Sequence, residues 1–255
     1  GRYSVEDFSK IRDTKIIELS DNEIENYVQT PWDLEGVDYL HLTSNETING
    51  VQLREFNKIQ HDSLLIDMSS DIGSYSFEWD NIAYVYAGAQ KNMGIPGVSI
   101  CIGNEKYLNS DDNSRYLNLG QLVEKNSLLN TPPTFSIYVL KLVTDWMIEM
   151  GGIKYFEEKS IRQSSRLYEQ LQTYEEFLIL PVNDYSKSRS NIIFKFLNED
   201  LEKKFLIEAI EKGILGLNGH RSEGGIRISL YNSVTDEMVD YLSEFMDKFF
   251  AGNGK

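Results

Sequence analysis

Lys91 follows the apolar run Ile82-Ala83-Tyr84-Val85-Tyr86 and the small residues Ala87-Gly88-Ala89, with Gln90 and Asn92 on either side. A lysine becomes a nucleophile when its ammonium loses hydration and a nearby cation lowers its pKa. Small neighbours let a flat ligand approach the backbone. Taken alone, the signal is weak, and the stretch reads more readily as a strand leaving the core into a solvated turn. The strand 24 positions earlier adds weight: Ser63-Leu64-Leu65-Ile66 ends in Asp67, followed by Met68-Ser69-Ser70. A carboxylate at the carboxyl end of a buried strand stands where open α/β sheets bind ligands, although a turn-forming aspartate has the same signature. An ionised aspartate can pair with a protonated pyridine nitrogen and keep that ring an electron sink. An Asp and a Lys on successive strand ends are the layout that a pyridoxal phosphate enzyme needs.

Two polar turns accompany this pair. Thr43-Ser44-Asn45-Glu46-Thr47-Ile48-Asn49-Gly50 follows a strand ending in His41 and Leu42, and Asn130-Thr131-Pro132-Pro133 opens a long helix. A helix N-terminus with amide and hydroxyl side chains is an anion site; ordinary turn and cap chemistry explains the same residues.

The elements that must position these groups form an alternation of strands and short connections in the first half. The candidate strands are 15–20, 38–43, 63–68, 82–86 and 97–102. Several are almost continuous apolar runs, as expected of strands covered on both faces. Thr131 as N-cap and Pro in the first turn open a helix that closes at Gly151-Gly152. Along it Phe135, Tyr138, Leu142, Val143 and Trp146 recur at helical spacing, a packing face. A charged helix over about 153–176 follows. Then come strand 191–197, helix 200–212, strand 226–231 and helix 235–250, the layout of a separate small α/β layer. Ser186 to Ser190, Ser-Lys-Ser-Arg-Ser, reads as an exposed loop. The expected fold class is α/β, with residues 1–150 a larger domain, 151–180 a connecting long helix and 181–255 a smaller C-terminal domain.

Bulk properties narrow the functions. The chain has 255 residues and a formal net charge of −15, which disfavours binding to a nucleic-acid backbone. An anionic substrate would have to be drawn by a few placed basic groups. No apolar run approaches the roughly 18 to 20 residues that span a bilayer, so no membrane partner is expected. The lone Cys101 offers neither a disulfide nor metal-ligand spacing, so a reducing, cytoplasmic setting and no metal are expected. It lies in the run Val98–Ile102 and reads as strand core. Ser4, with Asp7 and spaced Val5, Phe8 and Ile11, reads as a capped helix almost at the first residue, which suggests that a segment upstream has been removed.

Six blocks, HLTSNETING, LIDMSSD, YAGAQKN, NTPPT, GHR and GGIRISLYN, occur in the order and approximate spacing of the phosphoserine aminotransferase family. That family is one of fold-type I, class V pyridoxal phosphate transaminases. The chain resembles its carboxyl-terminal two thirds or so. The resemblance implies a large domain with a mostly parallel sheet flanked by helices, plus a smaller C-terminal α/β domain. It implies that Lys91 forms the Schiff base and shuttles the substrate proton, Asp67 holds the pyridinium nitrogen, Thr47 bonds the ring region and Gln90 contacts the cofactor phosphate. Asn130 and Thr131 would reach a partner's cofactor phosphate across a homodimer interface. Arg227 would bind the substrate α-carboxylate with its planar fork. His220 and Arg221 would help bind the substrate phosphate or the glutamate side chain. Tyr3 takes the place of a family tryptophan that stacks on the cofactor.

The implied reaction moves an amino group from L-glutamate to 3-phosphohydroxypyruvate, giving 2-oxoglutarate and O-phospho-L-serine in serine biosynthesis; a related step of pyridoxine biosynthesis is implied besides. Rivals are another class V transaminase, of alanine–glyoxylate or serine–pyruvate type, and a truncated, non-catalytic chain. A cysteine desulfurase is disfavoured because its mobile-loop cysteine has no counterpart.

Overall fold

The computed structural model describes residues 14, 15, 17, 27, 28, 32–107 and 118–253. Tyr3, the helix expected from Ser4 and most of candidate strand 15–20 lie outside the described residues.

The apolar runs of the first half become strands that stop where their polar residues begin. They are β1 (Leu40–Thr43), a small antiparallel ribbon of β2 (Asn45–Glu46) and β3 (Val51–Gln52), β4 (Leu64–Asp67), β5 (Ile82–Gly88) and β6 (Ser99–Gly103). The main sheet has the order β1-β4-β5-β6, with β1, β4 and β5 parallel and β6 antiparallel beside β5. Side chains alternate across it. Leu40, Leu42, Leu64, Ile66, Val85 and Ala87 enter a core with Tyr27, Phe56, Ile59 and Ile72. His41, Thr43, Leu65, Asp67, Tyr84 and Tyr86 occupy the opposite face and are only half-buried. Burial on both faces was expected of these strands; among the described residues one face is covered. Cys101 corrects a second expectation. It lies in a strand, but among the described residues β6 is the sheet's edge, and the thiol is exposed.

Past α1 (Leu119–Glu124), capped by Asn118, the long helix α2 spans Thr134–Glu149. Thr131 does not cap it. The helix begins directly after Pro133, whose ring already supplies a helical φ, and no side chain caps this end. Its apolar stripe is a further correction: Phe135, Tyr138 and Leu142 are 71%, 56% and 47% exposed, so the described chain does not cover them. Among the described residues, Trp146 alone of the stripe has an aromatic partner, edge-on against Phe156 of α3 (Gly152–Gln172).

The C-terminal module is built from β7 (Leu178–Ile179), β8 (Asn191–Phe196), α4 (Glu199–Glu211), β9 (Ile226–Ser229) and α5 (Asp236–Asn253). Its three strands form an antiparallel sheet in the order β7-β8-β9. Leu167 and Leu171 of α3 join Phe194, Phe205, Ile226, Met246 and Phe249 in a second core. Asn198 caps α4 by accepting from the N–H groups of Asp200 and Leu201. Arg162 and Gln163 of α3 both bond Asp236, tying α3 to the start of α5.

Ser186 to Ser190 is not an exposed loop. Ser186, Ser188 and Ser190 are buried, and this segment is the seam between the two cores. Asn45 donates to Asn191 Oδ1 and Ser70 Oγ, both at 2.8 Å, and the Arg189 N–H donates to Gln52 Oε1 at 3.0 Å. Tyr168 donates to the Ser188 carbonyl at 3.0 Å. Gly50 is required here. Its φ is +77°, and a Cβ would stand 2.7 Å from Ile193 Cγ1.

Candidate active site

Because β1, β4 and β5 are parallel, their carboxyl ends fall on one edge of the sheet, where the chain leaves for three different turns. The turn after β1 carries Thr47, β4 ends at Asp67, and the turn after β5 carries Gln90 and Lys91. Lys91 Nζ donates to Thr47 Oγ1 at 2.8 Å. Asp67 Oδ1 accepts the Ser69 N–H at 2.9 Å, which orients the carboxylate at the strand end. Ser69 Oγ in turn accepts the Gly88 N–H at 3.2 Å, joining the two strand ends.

The electrostatics of Lys91 follow from this position. Desolvation pushes its pKa below the ordinary lysine range and Arg227 adds repulsion; Asp67, Asp71 and Glu46 pull the other way. A lysine in this state releases its proton more readily, the condition for attack on a carbonyl carbon. Arg227 lies on β9 opposite Ile193, and its Nε is buried without a hydrogen-bond partner. A buried guanidinium nitrogen with no acceptor suits a ligand carboxylate.

Gln90 is exposed, and its amide folds back over Gly88: a Cβ on that glycine would lie 2.3 Å from Gln90 Oε1. Gly88 therefore makes room for the glutamine amide, whereas Ala87 and Ala89 are buried. Asn92 is buried and anchors the lysine turn, donating to the Ile72 carbonyl at 3.0 Å and accepting the Asn232 N–H at 3.0 Å. Lys159 Nζ donates to the Asn232 carbonyl at 2.8 Å, so the C-terminal module grips the turn that presents Lys91.

The other nominated residues stand apart. Asn130 and Thr131 are exposed ahead of α2. His220 and Arg221 are exposed in the loop before β9, where His220 Nδ1 is 2.9 Å from Ser222 Oγ. Among the described residues, no hydrogen bond or ion pair joins these four to Lys91 or Asp67. Tyr3 lies outside the described residues.

Sequence reasoning missed Asp71, which is fully buried behind the site. It accepts from Ser44 Oγ at 2.5 Å and Gln52 Nε2 at 3.1 Å, and burial pushes its pKa up to about 6. Its signal was a second acid only four positions beyond Asp67. Sequence reasoning also missed Tyr86 and His41, whose alternation with buried neighbours marks the face they share with Asp67.

Comparison with known families gives this sheet-end site its class: the chain belongs to the aminotransferase class-V family, whose model matches residues 10–242. Within that family it is similar to phosphoserine aminotransferases. The one from Halalkalibacterium halodurans is 42% identical over 83% of this chain and 59% of its own length. The one from Bacillus cereus is 37% identical over 99% of this chain and 71% of its own. A solved phosphoserine aminotransferase from Bacillus circulans subsp. alkalophilus superimposes with a TM-score of 0.81 at 39% identity, over 84% of this chain and 60% of that one. The chain thus spans about three fifths of the length of several relatives it matches.

Proposed function

We propose that the protein to which this chain belongs transfers the amino group of L-glutamate to 3-phosphohydroxypyruvate, forming 2-oxoglutarate and O-phospho-L-serine, in the cytoplasm and with pyridoxal 5′-phosphate as cofactor. The observation that carries this is the Lys91–Thr47 hydrogen bond of 2.8 Å beside Asp67 at the ligand-binding edge of the sheet, in a chain 42% identical to a phosphoserine aminotransferase. A solved relative from Trichomonas vaginalis is a PLP-bound phosphoserine aminotransferase, 29% identical.

The donor set fits that cofactor: a desolvated amine, a carboxylate and a hydroxyl. When bound, pyridoxal phosphate supplies an aldehyde for the lysine and a ring that accepts electrons. Lys91 is the nucleophile and, once free, the base that moves the proton at the substrate α-carbon, a contribution of about 10² to 10⁴-fold. Asp67 holds a ring nitrogen in its protonated form, Thr47 bonds the ring region and Gln90 the phosphate. Arg227 binds the substrate α-carboxylate through two parallel N–H bonds. Asn130 and Thr131 serve the site of a second copy, and His220 and Arg221 bind the substrate phosphate or glutamate side chain, also across a homodimer. The exposed apolar stripe of α2, which begins three residues after Thr131, supports that dimer. We also divide the chain at 151–180, with 1–150 the remainder of the cofactor domain and 181–255 the small domain.

The test is spectroscopic. Pyridoxal phosphate added to the protein should give the near-visible band of a lysine-bound cofactor, which glutamate bleaches and phosphohydroxypyruvate restores. Lys91→Ala should lack the band. A band of full strength in Lys91→Ala, or restoration by pyruvate or glyoxylate but not by phosphohydroxypyruvate, would overturn the assignment.

A further inference from the structure

On the half-buried face of the main sheet, side chains from three neighbouring strands converge, with His41 two residues short of the level shared by Asp67 and Tyr86. Asp67 and Tyr86 are register partners on β4 and β5, so their side chains leave the same face side by side. His41 comes from β1, with its Nε2 2.9 Å from the Tyr86 hydroxyl oxygen. The imidazole and phenol rings stack, with centroids 5.9 Å apart and planes inclined by 26°. Burial and then the neighbouring Asp67 charge push the Tyr86 hydroxyl up.

The proton inventory of the row gives it a direction. An ionised carboxylate can only accept. A phenol has one proton to donate and can accept through its oxygen. If Tyr86 donates to Asp67, its oxygen must accept from His41, and His41 must carry its proton on Nε2. The other orientation, Tyr86 donating to His41 Nε2, would leave Asp67 without the phenol proton.

We propose that Tyr86 and His41 are positioning residues that act through Asp67: His41 Nε2–H donates to the Tyr86 oxygen, and the Tyr86 hydroxyl donates to the Asp67 carboxylate, fixing the oxygen that a ligand ring nitrogen would meet. The Ser69 N–H holds Oδ1 from the backbone side. The carboxylate is thereby held from two directions before a ligand arrives, an ordering that hydrogen-bonded outer partners give to polar site residues in general. The relay rests on the proposed role of Asp67, whereas its direction does not.

Two measurements test it. The first needs no cofactor. The chain has three histidines, His41, His61 and His220, so ¹⁵N-histidine NMR with a His41→Gln variant assigns the His41 ring. The expected result is the Nε2–H tautomer in the wild type, with a clear shift of the Nε2 resonance in Tyr86→Phe. An Nδ1–H tautomer, or no response to Tyr86→Phe, would overturn the relay. The second is titration with pyridoxal phosphate. Tyr86→Phe and His41→Ala should each weaken affinity by about 3- to 10-fold, the range of one hydrogen bond, without lowering the thermal midpoint. His41→Gln, whose carboxamide N–H can still donate to Tyr86, should recover most of that loss. If Asp67→Asn loses affinity while Tyr86→Phe and His41→Ala keep it, the relay fails and the role of Asp67 stands. If Asp67→Asn itself keeps affinity, the role of Asp67 falls, and the tautomer alone decides whether the relay exists.

Discussion

The strand-end residues and the loop residues nominated for the same chemistry behave differently in this chain. Lys91, Thr47 and Asp67 converge, with a hydrogen bond of 2.8 Å between the first two and an electrostatic pull between the first and third. Asn130, Thr131, His220 and Arg221 stand exposed, and among the described residues they make no bond to that group. Residues at the ends of parallel strands are brought together by the sheet itself, because pairing brings their carboxyl ends to one edge. Residues ahead of a helix or in a long loop have no such constraint. We propose that they act with a second copy, for which the exposed Phe135, Tyr138 and Leu142, close in sequence to Asn130 and Thr131, offer a surface.

Substitutions can break this contrast in order of size. Asp67→Ala should have the largest effect after loss of Lys91 itself. Removing one member of a partly buried charge pair should weaken cofactor affinity by about a hundredfold, the scale of ~3 kcal/mol for such a break. A cofactor titration within twofold of the wild type would remove Asp67 from the site. Arg227→Lys keeps the charge but loses the planar fork, so KM for glutamate should rise about tenfold with a smaller change in kcat. Equal loss in kcat and KM for all substrates would assign Arg227 to packing instead.

The loop residues should show a smaller effect with a distinctive pattern. A chain carrying Asn130→Ala and Thr131→Ala, mixed with one carrying Lys91→Ala, should regain turnover. The mixed dimer has one site that draws its lysine and its Asn130-Thr131 pair from the two unaltered halves. No gain on mixing would place both sets of groups within one chain.

The smallest effect on turnover, and a measurable one on stability, is expected at Asp71. Its carboxyl is pushed up to about 6 by burial, against an unfolded value near 3.8. Between those values the folded state binds the extra proton. Its contribution to stability is therefore full below pH ~4 and is lost as the pH rises through about 6. The stability difference between wild type and Asp71→Asn, followed by denaturant unfolding from pH 4 to 7, should fall over that window. A difference independent of pH would show that Asp71 does not titrate there.

How far the site could be read from the chain follows the same division. Asp67 and Lys91 were legible because each ends an apolar run with a polar residue, and the strands β4 and β5 form where those runs lie. The seam at Ser186 to Ser190 was not. Serine, lysine and arginine in alternation have the composition of a solvated loop. The Ser188 hydroxyl and the Arg189 N–H are satisfied by Asn45 and Gln52, more than 130 positions away in sequence, and local composition carries no trace of such partners. Helical spacing identified the apolar face of α2 but not whether this chain covers it. Tyr86 and His41 were readable as members of a strand face, yet their meeting depends on the register of β1, β4 and β5. Register is a property of the assembled sheet.

The proposed function turns on capture of the cofactor by Lys91. Borohydride reduction of the protein loaded with pyridoxal phosphate, followed by proteolysis and peptide mass spectrometry, tests it most directly. The pyridoxyl mass is expected on the peptide containing Ala89-Gln90-Lys91-Asn92, in a one-to-one ratio with the chain. The same label on another lysine, with Lys91 unmodified, would contradict it.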